Sequence, residues 1–156
     1  MEEIVLNKQE HELAKYIGKG RQTTAENQRL INYNQCGKDD SWLHVNGACG
    51  ELAFSKLFKI YPHSFLDNFG TKSPYDVWIP EIGGIDVKTT ENMRGYLSVE
   101  FHKKNYPADH YALMMGKYNR FLYAGMITKE QLFCEENLKD VGNGPFYSVS
   151  HSVLFH

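Results

Sequence analysis

The sequence has few cysteines, no long apolar run and almost no net charge, and each shortage removes a class of protein. Its three cysteines, Cys36, Cys49 and Cys134, are scattered through 156 residues without a CxxC pair. That spacing excludes a disulfide framework and a clustered zinc site, and it points to a reducing compartment. No apolar stretch approaches the roughly 20 residues of a membrane span. The opening MEEIVLNKQE is acidic where a targeting segment is basic, so we expect a soluble, cytoplasmic protein with no membrane partner. The seven histidines lack the short spacings of zinc ligands. No serine sits in a nucleophile-elbow pattern, which leaves serine hydrolases without support.

A net charge of −2 provides no bulk attraction for nucleic acid, so any such partner must meet a local basic patch. Between Leu13 and Ile60 the chain does carry seven Lys or Arg against four Asp or Glu. Lys15, Lys19, Arg21 and Arg29 are the phosphate-contact candidates of this segment, with Lys19 and Arg21 in a loop, GKGRQ. His102, Lys103 and Lys104 form a second basic cluster further on.

Apolar residues make up 42% and aromatics 13% of the chain, enough for a proper core, and no Gly-, Pro- or Ser-rich stretch reads as a linker. One domain is expected. Asn7 with Glu10 has the spacing of a capping box and predicts a helix through about Ile17, broken by Gly18-Lys19-Gly20. Thr23 with Glu26 predicts a second helix ending near Gly37. A third runs from Asp40 or Ser41 to about Phe58, its buried face marked by Val45, Ala48, Cys49 and Leu52. Beyond a turn-rich segment the pattern shortens and alternates. It predicts strands at Tyr75 to Ile79, Ile85 to Thr89, Tyr96 to Phe101, Tyr111 to Met115, Arg120 to Ile127 and Phe146 to Val149, with a short helix capped by Thr128. Helices followed by strands imply a mixed α/β (α+β) domain with one sheet and helices packed on it.

The stretch YDVWIPEIGGIDVKTT, Tyr75 to Thr90, reads as a hairpin. Asp86, Lys88 and Thr90 share one strand face, and Ile85, Val87 and Thr89 share the other. A turn near Glu81 or Ile82 brings Asp76 opposite or nearly opposite Asp86, about 5 Å apart at Cβ. Two such carboxylates repel unless one is protonated, a cation binds, or the register separates them. A hard divalent cation is the natural remedy, since Mg²⁺ takes oxygen ligands and is held by one or two carboxylates. Lys88 can then orient a water or offset charge on a phosphoryl transition state. Asp86-Val87-Lys88 is the one place in the chain where an acid stands two residues before a lysine. A third carboxylate, Glu51, follows Gly47 and Gly50 in the third helix, where each glycine costs roughly 1 kcal/mol relative to alanine. Gly47 leaves room beneath Glu51 for a metal, a strand or a backbone phosphate, or Gly47, Ala48 and Gly50 serve close helix-to-sheet packing, and the two roles are compatible. Trp78, on the Asp76 face, is expected to pack in the core or to stack on a base.

Gly47, Gly50, Glu51 and Ala53 on a helix, then Asp76, then Asp86-Val87-Lys88 on a hairpin, resemble the PD-(D/E)XK nuclease superfamily. The later run ADHYALMMGKYNRFLYAGMITKEQL is similar to the continuation in its small, often phage-encoded members. The literal Pro-Asp pair is absent, because Tyr75 stands between Pro74 and Asp76. The resemblance covers about Val45 to Leu132. It implies a restriction-endonuclease-like core, a central mixed sheet of four or five strands flanked by helices; we place that core over residues 41–156, with residues 1–40 as a helical extension that the resemblance does not account for. It also implies Mg²⁺ or Mn²⁺ bound by Glu51, Asp76, Asp86 and the Val87 carbonyl, with Lys88 assisting the attacking water. The expected activity is metal-dependent hydrolysis of DNA phosphodiesters to 5′-phosphate and 3′-hydroxyl ends, RNA not being excluded, by a monomer or homodimer. A resolvase of branched DNA, and a non-catalytic nucleic-acid-binding module retaining the fold, are the alternatives.

Overall fold

A computed structural model describes residues 2–27, 40–61 and 73–156 of the chain. Two helices, α1 (Lys8–Asn27) and α2 (Asp40–Phe58), follow a short strand β1 (Glu3–Val5). Strands β2 (Val77–Ile79), β3 (Gly83–Thr90), β4 (Tyr96–Glu100), β5 (His110–Lys117) and β6 (Arg120–Thr128) come next, then the one-turn helix α3 (Lys129–Leu132), β7 (Leu138–Asp140) and β8 (Pro145–Ser150). The class is mixed α/β, as expected.

The strands form two sheets rather than one. A central five-stranded mixed sheet has the order β1-β6-β5-β3-β2, with β3 and β5 parallel and the other neighbours antiparallel. Strands β4, β8 and β7 form a separate antiparallel sheet. The alternation that marks β4 as a strand sets which face is buried and leaves its partner open, and the partner is β8. Strand β1 and strand β7, three residues each, were too short to leave a periodic signal.

The central sheet separates two cores. Ala14 and Ile17 of α1 and Ala48, Leu52 and Phe54 of α2 pack with Ile85, Val87, Ala112 and Met114 on one face. On the other, Tyr111, Leu113 and Met115 meet Leu97, Val99, Tyr147 and Val149 of the small sheet. Strand β5 is therefore apolar on both sides, as a strand covered on both faces must be. Strand β6 keeps both cores filled through a bulge. Leu113 pairs with Gly125 and Met114 with Tyr123, so Ala124 is the extra residue beside Gly125, whose φ is 119°.

The capping box of α1 is present. Asn7 N–H donates to Glu10 Oε2 at 2.6 Å and Glu10 N–H to Asn7 Oδ1 at 2.9 Å. Thr128 Oγ1 accepts from Gln131 N–H at the start of α3, and α2 spans the expected residues. The break at Gly18-Lys19-Gly20, however, does not occur: α1 runs unbroken through it. Thr23, expected as a cap, donates its hydroxyl back to the Lys19 carbonyl at 3.1 Å, a bond made within a continuing helix. Gly18 serves a crossing instead, since a Cβ there would lie 2.6 Å from the Val45 Cα of α2. Lys19 and Arg21 are thus helical, not in a loop. The end of the second expected helix near Gly37, together with Arg29 and Cys36, lies outside the described residues.

The two helical glycines Gly18 and Gly47 should respond oppositely to alanine. Gly47 has nothing within 4 Å of an added Cβ, so Gly47→Ala should stabilise by up to about 1 kcal/mol through helix propensity. Gly18→Ala meets backbone and should destabilise by about 1–3 kcal/mol despite the same propensity gain. Urea unfolding of the two variants measures both signs.

Candidate active site

The site forms where α2, the β2–β3 hairpin and the segment after β4 converge. The hairpin turns through Pro80, Glu81 and Ile82, with Ile82 N–H bonded to Ile79 O at 3.0 Å and Gly83 at φ 99° closing it. Gly84 leaves room for the Tyr75 ring, 2.5 Å from where a Cβ would stand. Asp109 at the head of β5 accepts from Gly84 N–H at 2.8 Å, and its own N–H donates to Gly84 O at 2.8 Å. These contacts hold the hairpin against β5.

Regular β2–β3 pairing begins at Val77, opposite Ile85. Just before it, the Asp76 N–H donates to Ile85 O at 3.0 Å, and its carboxylate Oδ2 accepts from Val87 N–H at 2.7 Å. Asp76 thereby fills a rung of the ladder with its side chain. Asp86, the fourth residue of β3, is only 5% exposed. It shares its sheet face with Tyr111, its neighbour in the parallel β3–β5 pairing, so the face expected to be charged is covered rather than open to solvent. The opposite face carries Ile85 and Val87 into the helix-side core as expected.

Asp86 is matched by two cations. Lys88 Nζ stands 2.5 Å from Oδ1 and Lys103 Nζ 3.6 Å from Oδ2. The Lys88 contact is close but off the direction of a hydrogen bond, which leaves buried Oδ1 with an ion partner and no aligned donor. Lys103 comes from the 3-10 turn Phe101–Asn105 after β4. It lies 4.3 Å from the centre of the Tyr106 ring, and its carbonyl accepts from the Tyr111 hydroxyl at 3.2 Å.

Glu51, on α2, is 4% exposed and is gripped by Arg21 of α1. Nη1 reaches Oε1 at 2.6 Å and Nη2 reaches Oε2 at 2.8 Å, a two-pronged pairing. Gly50, the residue before, lies against Thr89 of β3, whose Oγ1 would collide with a Cβ. Gly47 adjoins open space. The two glycines thus divide the roles that the sequence left open, Gly50 serving close packing and Gly47 leaving room.

The electrostatics tie the three carboxylates into one unit. Burial pushes the Asp76 carboxyl well above the ordinary carboxylate range, and repulsion from Glu51 and Asp86 adds to the rise, against the pull of Lys88 and the Val87 N–H. Burial also works against ionised Asp86, but Lys88 and Lys103 hold it below its ordinary value. Burial would lower Lys88, yet Asp86 and then Asp76 outweigh it and raise it. Lys88 is accordingly a fixed cation here.

Of the expected residues, Asp76 is bonded to Val87, Asp86 is paired with Lys88, and Glu51 and Asp86 act on Asp76 through their charge; Arg21 and Lys103 are direct partners of Glu51 and Asp86. Lys104 lies over the Phe101 ring at 4.1 Å, and Lys15 pairs with Glu12 at 2.9 Å. Lys19 is exposed on α1. Trp78 is 45% exposed beside Tyr75, with ring centres 5.5 Å apart, so it is not a core residue. The sequence reading missed that Arg21 serves Glu51, although a signal existed. Ala14, Ile17, Gly18 and Arg21 keep the i, i+3, i+4, i+7 spacing of the α1 face turned to α2.

Three carboxylates beside a backbone carbonyl are the hard oxygen donors that Mg²⁺ or Mn²⁺ takes, so the donor chemistry fits such an ion. They do not form a ready-made cage. Among the described residues, no three His, Cys, Asp or Glu side chains stand together as a metal group. Glu51 is drawn to Arg21, and Asp86 to Lys88 and Lys103.

A family model described as a family of unknown function (DUF5843) matches residues 3–121, a span that contains every side chain of the site. No curated protein and no solved structure matches the chain.

Asp76 should leave a signature in stability against pH. Its folded pKa lies above its unfolded one, so from about pH 4 up to the raised value the folded state keeps a proton that the unfolded chain has released. Stability therefore falls as pH rises through that window. With chelator present, Asp76→Asn should flatten this part of the curve and melt higher than wild type at neutral pH. Melting temperatures of the two proteins from pH 4 to 8 test it, and parallel curves would refute the assignment.

Proposed function

Because the chain belongs to this family of unknown function, its activity has to be read from the site, and we propose that it is a metal-dependent nuclease of the PD-(D/E)XK type acting on DNA phosphodiesters. The observation that carries the proposal is the β2–β3 hairpin, where Asp76 is bonded to the Val87 N–H and Lys88 stands against Asp86, with Glu51 on α2 near enough for its charge to act on Asp76.

A bound Mg²⁺ or Mn²⁺ would supply Lewis acidity toward a phosphoryl oxygen and make water more acidic. Glu51, Asp76, Asp86 and the Val87 carbonyl are the groups that would hold it. The Asp76 carboxyl is raised above the ordinary carboxylate range by burial and by the neighbouring acids, and a bound cation would oppose that rise. Lys88 stays charged throughout, anchored by Asp86, and stabilises negative charge on the reacting phosphate rather than removing a proton. Lys103, on the other side of Asp86, extends the same positive edge. Lys15, Lys19 and Lys104 are surface positions for backbone phosphates, and Trp78 offers an exposed ring to an unpaired base.

A non-catalytic nucleic-acid-binding module is the second proposal. The observation favouring it is that Glu51 and Asp86 are already matched by cations of the chain itself.

Cleavage of labelled single-stranded, duplex and branched DNA separates the two. Wild type should cut at least one substrate with Mg²⁺ or Mn²⁺ and none with chelator. Lys88→Ala should reduce the rate by roughly 10²-fold or more, and Asp86→Asn should abolish it. No cutting by wild type, with DNA bound equally by all three proteins, would establish the binding module instead.

A further inference from the structure

We propose that Arg21 is a built-in competitor of the metal ion, a guanidinium that occupies Glu51 in the metal-free protein and must swing away for the site to load. This rests on the nuclease proposal and adds the residue that sets its metal affinity.

Both oxygens of Glu51 are engaged by Arg21 at 2.6 and 2.8 Å. The charge of that carboxylate also reaches Asp76 and adds to the rise there. A cation gathering Glu51, Asp76 and Asp86 therefore needs oxygens that the guanidinium already holds. Arginine does not lose its charge in a protein, so Arg21 cannot leave by deprotonation and can only move. Room exists for such a movement. The side chain of Arg21 is one-fifth exposed, and the position of Gly47, one helical turn before Glu51, adjoins open space.

Lys88 and Lys103 do not obstruct in the same way. They engage the two oxygens of Asp86 separately, Lys88 from β3 at Oδ1 and Lys103 from the turn after β4 at the longer distance of 3.6 Å from Oδ2, whereas one side chain, Arg21, holds both oxygens of Glu51 as a fork.

The test is Mn²⁺ titration by calorimetry, with thermal melting in chelator and in Mn²⁺, on the full chain of wild type, Arg21→Gln, Arg21→Lys and Asp86→Asn. Arg21→Gln should bind Mn²⁺ about tenfold tighter than wild type, with Arg21→Lys, which keeps the charge and the fold but loses the fork, in between. Arg21→Gln should melt below wild type in chelator and gain more from Mn²⁺ than wild type does. Mn²⁺ binding lost in Asp86→Asn but unchanged or weaker in both Arg21 variants would overturn the competitor role, leaving Arg21 as a pin between helices and the nuclease proposal intact. No Mn²⁺ binding by any of the four would overturn both.

Discussion

Burying a carboxylate is the constraint from which most of the structure can be read. Glu51 and Asp86 are almost fully enclosed, and an enclosed charge is tolerated only with a partner, since removing one member of such a pair costs about 3–5 kcal/mol. The partners come from different parts of the chain. Arg21 arrives on α1, Lys88 along β3, and Lys103 on the turn that follows β4. The elements that meet at the site are thus held there by charge as well as by apolar packing.

That requirement explains local features that would otherwise look like defects. The contact of α1 with α2 is close because Gly18 has no side chain to hold Val45 away, and this closeness lets Arg21, three residues on, reach Glu51. The contact of α2 with β3 is close because Gly50 admits Thr89, which sets Glu51 near the hairpin. Asp76 has no cation of its own at bonding distance among these partners. It is stabilised by the Val87 N–H and carries the strain of the cluster as a raised pKa. One acid of three is thus left without an ion pair among these partners, held by a backbone N–H alone.

Much of this was visible in the residues. The capping box of Asn7 and Glu10, the cap at Thr128 and the buried stripe of α2 are local, because a cap needs only its own first turn and a stripe only the helical period. The two faces of β3 followed from alternation alone, and a turn near Glu81 or Ile82 was legible in the same stretch. Gly18-Lys19-Gly20 misled for a definite reason. Glycine is a helix breaker by propensity and a helix contact by size, and only the neighbour decides which property matters. The same holds for Gly47 and Gly50, indistinguishable in the sequence and opposite in their surroundings.

The residues by themselves determined which segments are helix or strand over most of the chain, and that Asp76, Asp86 and Lys88 share a hairpin, because those features depend on neighbours a few positions apart. The tertiary structure alone decided that β4 leaves the central sheet for β8, that the Asp86 face is covered, and that Arg21 and Lys103 serve the acids. These pairings join groups as far apart in sequence as Arg21 and Glu51 or Asp86 and Lys103. No periodicity encodes such a pairing, since what selects it is the need of a buried charge for its opposite once the chain has closed around it.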